Sequence, residues 1–406
     1  MRVFQHWLAP WLGAALLLLV LTPVAPGQVL KIDVTNPSNV DRRDEPVVLA
    51  WPDIAGRLPG ADPRHLRLQD DGGREKLFQV DDMDGDGTPD ELVFAVNIRA
   101  KRRGLFVLRQ VAAERPLPSE ASFHTDAQDW KRVNGVLQSI DDDDGPGLKR
   151  DQTLYRFDGV GWESDLIGYR LYLDERNAVD VQGKRKPGLY WKYIGSSDVD
   201  YQADADWGMD VLHVGPALGV GGIGFWIGDS VLQPVTLDRR WSRILARGPV
   251  RAVVRVDYGG WDLGSEKVDV TSIFTILAGD RITEQRVFLQ KGPSSETLAT
   301  GIVKNDSTTV TWNPDGAWLY TSGRQSRAND SLMLAVVFRP DVLVRQLEGP
   351  YDHLVLLQLK RDMPVDLLIA SYWQGETGSM WTDSEIKDFL DRAALRLKEP
   401  LQIEYQ

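Results

Sequence analysis

The stretch RAVVRVDYGGWDLGSEKVDVTSIFTILAGDRITEQRVFLQ, residues 251–290, decides the fold class. It contains three runs that are long for β-strands, separated by turns rich in glycine and acidic residues. In the first run the side chains alternate, and one face carries Ala252, Val254, Val256 and Tyr258. Similar runs recur from Thr153 onward, so the sequence predicts a mostly β chain built on long antiparallel strands.

One helix is predicted near the end of the chain, in TDSEIKDFLDRAALRLKEP, residues 382–400. Thr382 or Asp383 is the expected N-cap and Pro400 the terminator. The apolar residues fall on one face at helical spacing: Ile386, Phe389, Leu390, Ala393 and Leu397. A single closing helix on a long β-body favours one large sandwich over a βαβ fold.

The N-terminus has the layout of a signal peptide. Arg2 precedes an apolar run that ends in small residues near Gly27. The run is shorter than the roughly 20 residues that a membrane span needs. We expect cleavage between Gly27 and Gln28, a periplasmic or secreted mature chain, and no membrane span after removal. The chain has no cysteine, so neither a lipobox nor a disulfide is expected.

The composition of the chain limits the classes of molecule that it is expected to bind. The formal net charge is −12, which disfavours nucleic acid and anionic membrane surfaces because both require basic patches. The 14 tryptophans suit both a β-sandwich core and stacking on sugar rings, so they leave these two uses open.

The chain divides at a polar, proline-bearing stretch over residues 112–135. Short alternating runs precede it and longer ones follow it. We therefore predict a signal peptide over 1–27, a small N-terminal β-domain over 28–125, and a β-sandwich domain over 126–406 that the helix closes. The acidic run SIDDDDGPG, residues 139–147, is expected to be a solvated turn.

The sharpest local motif is DDMDGDGTPDELVF, residues 81–94, in the N-terminal domain. Its carboxylates have the spacing of a calcium loop: Asp82, Asp84, Asp86 and Asp90. The twelfth position is Val93 rather than a bidentate acid, so Glu91 or a distant ligand would complete the shell. We predict a structural Ca²⁺ here; the alternative is an acidic turn without metal.

The segment VGWESDLIGYRLYLD, residues 160–174, predicts a strand with an aromatic and polar face. Such a face suits an oligosaccharide, since arginine and aspartate make planar hydrogen bonds and tyrosine stacks on the ring. The candidate substrate-binding residues are Trp162, Asp165, Tyr169 and Arg170, and Glu163 is a candidate catalytic acid. Salt-bridged, solvent-facing side chains are the alternative.

A second candidate stretch is ADADWGMDVLHVGPALGVGGIGFW, residues 203–226. Its glycines do not indicate a phosphate loop, because a strand-like run rather than a helix follows them, and no nucleotide cofactor is expected. The residues ahead of the glycines are predicted to surround a polar pocket: Asp206, Trp207, Asp210 and His213. His213 is the candidate general base, with a structural histidine as the alternative.

Arg281 and Glu284 in ILAGDRITEQRVFLQ, residues 276–290, are further substrate-binding candidates. Arg281 suits bidentate binding of a carboxylate such as that of a uronic acid, and a cross-strand salt ladder is the alternative. The sequence contains no G-x-S-x-G elbow, no H-E-x-x-H motif and no Cys/His cluster, so it does not support serine hydrolase or zinc peptidase chemistry.

Four ordered segments, residues 80–94, 160–184, 206–226 and 274–289, together resemble a bacterial domain-of-unknown-function family. Its members are exported and are often encoded with proteins that degrade pectin, ulvan and related uronate polysaccharides. The resemblance implies a galactose-mutarotase-like β-supersandwich behind a small β-domain. The active face would be a concave sheet that holds the Tyr169 and Glu284 strands. A histidine often follows the family's tyrosine at the position of Tyr201, where this chain has Gln202.

The resulting hypothesis is a carbohydrate-active enzyme that processes uronic-acid oligosaccharides by proton abstraction and elimination. Arg170 or Arg281 would hold the carboxylate, and His213 or Tyr201 would remove the proton. Glu163 would protonate the leaving oxygen. The alternatives are a non-catalytic glycan-binding protein and a glycoside hydrolase with paired carboxylates.

Overall fold

The computed structural model describes residues 29–116, 118–147, 149–151, 153–194, 203–313, 315, 317–376, 378 and 380–406. The predicted signal peptide and Tyr201 lie outside the described residues. No helix in the described ranges is long and apolar enough to cross a membrane.

Strands make up most of the described chain. The N-terminal elements are β1 (Val29–Thr35), β2 (Arg42–Ala50), α1 (Trp51–Arg57), β3 (Leu66–Asp70), β4 (Glu75–Lys76), β5 (Phe78–Asp81), β6 (Glu91–Ile98) and β7 (Arg103–Gln110). The middle strands are β8 (Thr125–Gln128), β9 (Trp130–Val133), β10 (Val136–Ser139), β11 (Asp142–Pro146), β12 (Gly159–Ser164), β13 (Ile167–Tyr172), β14 (Val179–Lys184), β15 (Gly208–Asp210), β16 (Gly224–Ile227) and β17 (Ser230–Leu232). The remaining elements are β18 (Arg239–Ala246), β19 (Arg251–Asp262), β20 (Lys267–Leu277), β21 (Ile282–Lys291), β22 (Ser295–Val303), β23 (Thr308–Asn313), β24 (Trp318–Arg324), β25 (Ser331–Phe338), β26 (Leu343–Glu348), β27 (Asp352–Lys360), β28 (Val365–Trp373), α2 (Asp383–Lys398) and β29 (Gln402–Tyr405).

Three sheets form the sandwich. The large sheet has nine described strands in the order β11-β18-β19-β20-β21-β28-β25-β24-β23. One of its faces packs on two five-stranded sheets: the site sheet, β15-β14-β13-β12-β8, and a neighbour, β17-β16-β22-β27-β26. The pairings within these sheets are antiparallel, so the predicted mostly β, antiparallel sandwich is confirmed.

The alternation in the opening stretch determines which side chains fill this sandwich. Ala252, Val254, Val256 and Tyr258 are buried in the shared core, as predicted. On the opposite face of β19, Arg255 pairs with Asp257 at 2.8 Å. A strand with period-two alternation therefore lies between the core and a polar outer layer.

The N-terminal strands form a separate core between a five-stranded sheet, β29-β1-β7-β3-β4, and a three-stranded sheet, β2-β6-β5. The last strand, β29, pairs with β1, so the C-terminus completes the N-terminal unit. Gln79 and Asp81 of β5 connect this unit to the large sheet, because both hydrogen-bond to Arg251 at the start of β19.

Helix α2 begins where the sequence places it. Thr382 is the N-cap, and its side chain and that of Glu385 form a capping box. The predicted apolar face packs on the outer side of the large sheet through Ile386, Leu390 and Ala393. The predicted closing helix is thus confirmed.

The glycines of residues 219–224 allow backbones to approach closely. Gly219 has φ +75°, and a Cβ there would lie 2.0 Å from the carbonyl oxygen of Val179, the first residue of β14. The run then enters strand β16, in agreement with the strand-like pattern after the glycines. Gly219 thereby fixes the distance between this segment and the site sheet.

We predict that Gly219→Ala destabilises the protein more than Gly228→Ala. Both positions have positive φ, so alanine at either one is destabilised by the left-handed backbone conformation. A Cβ at Gly228, however, meets nothing within 4 Å. The displaced β14 backbone should add about 1–3 kcal/mol to the loss at Gly219. Urea unfolding of both variants measures the difference, and equal losses would contradict the close-approach argument.

Candidate functional site

The site sheet has one apolar and one polar face, and both are buried. Trp162, Tyr169 and Val181 pair across β12, β13 and β14 and face the sandwich core. We call the opposite side the polar face; it comprises Asp126, Gln128, Glu163, Arg170, Tyr172, Asp180, Gln182, Lys184 and Asp210. A buried face of this composition requires partners for its charges.

Arg170 lies at the centre of the polar face, between two carboxylates. Its Nη2 atom is 2.7 Å from Oδ2 of Asp180 and 3.7 Å from Oδ2 of Asp210. The hydroxyl of Tyr172 accepts from the same guanidinium at 2.7 Å and lies 3.0 Å from Asp180. The structure therefore brings together two predicted site residues, Arg170 and Asp210.

Asp210 is poised to be a neutral acid at physiological pH. Burial, followed by the nearby charge of Asp180, raises its pKa to about 8, against the opposing effect of Arg170 and Arg327. A protonated carboxyl can donate a proton, which an ionised one cannot.

Arg327 connects this cluster to solvent. Its Nε is 3.4 Å from Oδ1 of Asp210, and 27% of its side chain is exposed. It is held there by pairing between Leu212 and Ser326 and by a bond from its own backbone N–H to Val211. His213 follows directly after this bridge in the chain and is exposed, so it does not lie in the core.

Glu163 is engaged in a buried ion pair. One carboxylate oxygen is 2.5 Å from Nζ of Lys184, and the other accepts from the backbone N–H groups of Tyr190 and Trp191 at 2.7 and 2.8 Å. Lys184 also donates to the carbonyls of Ser164 and Gly188. In this arrangement Glu163 anchors the segment that covers the polar face.

An aromatic layer covers the polar face. The ring of Trp191 rests on Gly161, where a Cβ would lie only 2.6 Å from the indole. Trp207, a predicted substrate contact, is half-buried in the same layer and packs on Tyr190 with ring centroids 5.6 Å apart. Asp206 beside it is exposed.

Other predicted residues lie away from the cluster. Trp162 is fully buried, donates to Thr283 at 2.9 Å and stacks on Phe274, which leaves no ring face open to a sugar. Tyr169 is equally buried, and its hydroxyl donates to the carbonyl of Arg281. Asp165 accepts from the backbone of Gly279 in a turn.

Glu284 belongs to β21 of the large sheet and Arg281 directly precedes this strand, whereas Tyr169 belongs to the site sheet. The expectation of one concave sheet that holds both the Tyr169 and Glu284 strands is therefore wrong. Arg281 forms an ion pair with Glu376, whose pKa burial raises to about 7. Glu284 instead lines a cleft of about 560 Å³ between the large sheet and the N-terminal unit.

The acidic loop gathers three of its four predicted ligands. Single oxygens of Asp82, Asp84 and Asp86 lie within 4.8 Å of one another. Asp90 instead accepts a hydrogen bond from the backbone N–H of Met83 at 2.6 Å. The donor set is all oxygen, as a hard cation requires.

Sequence reasoning missed Asp180, Gln182 and Arg327. Asp180 and Gln182 follow Arg170 on the next strand, and the alternation of VDVQGK, residues 179–184, gives them a common face. That signal was available. No local pattern connects Arg327 to Asp210, because more than a hundred residues separate them.

The protein is thus an antiparallel β-sandwich that carries a buried cluster of arginine and carboxylate side chains on one sheet. Residues 34–403 match the family model described as a domain of unknown function, DUF4861, and the chain belongs to that family. A search of curated proteins found no match to this chain.

Two solved structures align with 94% of the chain. One is an alpha-mannosidase from Enterococcus faecalis V583, with 8% identity and a TM-score of 0.47, of which 46% is covered. The other is a glycosyl hydrolase family 38 protein from Enterococcus faecalis, with 8% identity and a TM-score of 0.46, of which 48% is covered. The chain spans about half the length of these structures.

We predict that Asp210→Asn removes a component of the pH dependence of stability. The folded pKa of Asp210 is raised from 3.8 to about 8, so its stabilising contribution is complete below the lower value and is lost as pH rises through the upper one. The free energy of unfolding of the variant should rise relative to the parent by at most about 1.4 kcal/mol per pH unit between these values.

Chemical denaturation at pH 5, 6, 7 and 8 measures this difference. Asp204→Asn is the control, because Asp204 is exposed and pairs at the surface with Arg185. A constant difference between Asp210→Asn and the parent across the series would contradict a raised pKa.

Proposed function

We propose that this protein processes uronic-acid-containing oligosaccharides by proton abstraction and elimination at the cluster of Arg170, Asp180, Asp210 and Arg327. The observation that carries the proposal is a carboxylic acid with a pKa of about 8 beside an arginine that is open to solvent. The resemblance to proteins encoded with pectin- and ulvan-degrading systems favours uronates as the substrate class.

The charge balance of the cluster suits an anionic ligand. When Asp210 is protonated, Arg170 remains paired with Asp180 at 2.7 Å, and Arg327 has no ionised partner within 4.0 Å among the described residues. A substrate carboxylate would supply the missing negative charge. Arginine binds carboxylates in a planar, bidentate geometry, which also orients the sugar ring.

The elimination requires two groups, a base that removes one proton and an acid that supplies another. A base removes the proton on the carbon next to the carboxylate, and the electron pair forms a double bond to the neighbouring carbon. The bond from that carbon to the leaving oxygen breaks, and the oxygen takes the proton of Asp210. The exposed His213 is the candidate base, and Tyr201 is the second candidate from the sequence.

Arg327 lowers the barrier in this scheme, because its charge stabilises the enolate that forms on the carboxylate side. Asp210 takes the acid role, since both oxygens of Glu163 are already occupied by Lys184 and the 190–191 backbone.

The test is the ultraviolet absorbance of a conjugated uronate during incubation with a panel of uronate oligosaccharides. Arg327→Gln should lower kcat/KM by at least about 100-fold through loss of transition-state charge stabilisation. His213→Ala should abolish turnover. Arg239→Gln, at an exposed arginine of β18 that pairs with Asp144 of β11, should leave turnover unchanged.

The outcomes separate the competing functions. Binding by calorimetry without product from any substrate would favour a glycan-binding protein, and saturated products would favour a hydrolase. Either result would refute the elimination.

We also propose a structural Ca²⁺ at Asp82, Asp84 and Asp86, supported by the convergence of their oxygens within 4.8 Å. Calcium should raise the melting temperature of the N-terminal unit, since ligands that bind only the folded state stabilise it. Asp84→Asn combined with Asp86→Asn should remove this response. Asp71→Asn, at an exposed acid in the turn between β3 and β4, should retain it. An unchanged calcium response in the double variant would refute the site.

A further inference from the structure

Gln182 occupies a central position on the polar face. It pairs across the sheet with Asp210 on β15 and with Gly168 on β13. Directly opposed residues on one face of an antiparallel pair have neighbouring side chains. Because Gly168 has no side chain, the indole of Trp191 packs there beside Gln182, with its Nε1 3.0 Å from the position of a Cβ at Gly168.

The carboxamide of Gln182 has unused hydrogen-bonding capacity. The residue is 1% exposed, and neither Nε2 nor Oε1 has a hydrogen-bond partner among the residues that the structure describes. A buried amide without partners destabilises a folded protein, so such groups are rare and call for an explanation.

Gln79 shows what a structural glutamine looks like in the same molecule. It is 5% exposed, its Nε2 donates to Asp81 and to the carbonyl of Arg251, and its Oε1 accepts from the backbone of residues 250 and 251. Both polar atoms of the Gln79 carboxamide are bonded, and three of these four bonds connect the N-terminal unit to residues 250 and 251. Gln182 has the same burial and none of these bonds.

We infer that Gln182 is a specificity-determining residue that binds two neighbouring hydroxyls of a pyranose ring. This inference rests on the proposed function. A carboxamide presents a donor and an acceptor side by side, and each hydroxyl of a vicinal pair both donates and accepts. Gln182 lies next to Asp210, so the hydroxyls would be held beside the acid while Arg327 holds the carboxylate.

Removing the Gln182 amide should weaken binding without lowering stability. In Gln182→Met the side chain keeps nearly the same shape and loses its unpaired polar atoms. We expect an unchanged or higher melting temperature and an affinity for uronate oligosaccharides that is at least tenfold weaker by calorimetry. Gln79→Met is the matched control and should lower the melting temperature, because it leaves four bonded groups without partners.

Discrimination between hydroxyl and deoxy sugars is the second measurement. A site that hydrogen-bonds a hydroxyl rejects the analogue that lacks it. The parent should therefore prefer the hydroxylated ligand over its monodeoxy analogue by at least tenfold, and Gln182→Met should lose that preference. A purely structural glutamine would not change this ratio.

Three results would overturn the assignment. A loss of stability in Gln182→Met comparable to that of Gln79→Met would mean that the amide is satisfied within the free protein. Unchanged affinity and unchanged deoxy discrimination would place the hydroxyls elsewhere. Absence of binding to any pyranoside would remove both this inference and the proposed function.

The proposed function can also fail alone. If the parent binds neutral pyranosides but no uronates, the elimination is refuted. Weaker binding of those neutral ligands by Gln182→Met would then still support the hydroxyl-binding role.

Discussion

The guanidinium of Arg170 allows the polar face of the site sheet to be buried. A five-stranded sheet with one face in the core normally exposes the other to water, but this one is covered by aromatic side chains around Trp191. Charges so enclosed are tolerated only with partners, and Arg170 supplies them to Asp180 and Asp210. The segment that covers this face is held in turn by Glu163, whose carboxylate accepts a hydrogen bond from the backbone N–H of Trp191.

The same arrangement gives the polar face two unusual groups, a carboxyl with a raised pKa and an unsatisfied amide. Asp180 and Asp210 share one buried arginine, and burial together with the charge of Asp180 raises the pKa of Asp210 to about 8. Gln182 adds an unsatisfied amide to the same row. Groups that cost stability and cluster on one sheet are typical of sites selected for binding or catalysis rather than for folding.

The architecture was predictable because it follows from local periodicity: the alternation in β19 and the capping box at Thr382 each specify an element and its buried face. The candidate site was only partly predictable. Strand alternation places Tyr169 and Arg170 on opposite faces of β13, although both were predicted to contact substrate, and it does not reveal that a second layer covers the Arg170 side. Asp143 is a similar case: the expected solvated turn is strand β11, where this carboxylate is buried among Lys131, Arg150 and Arg240. What covers a face depends on long-range contacts that no short window contains.

The pairing of β29 with β1 has a consequence for how the molecule is assembled. Ile403 opposite Val34 is a contact between nearly the two ends of the described chain, and such contacts close late because long loops must be ordered first. Until the last strand arrives, β1 presents an open edge that other chains can extend. The N-terminal unit, although first in the chain, therefore reaches its final form only after the entire sandwich has been synthesised.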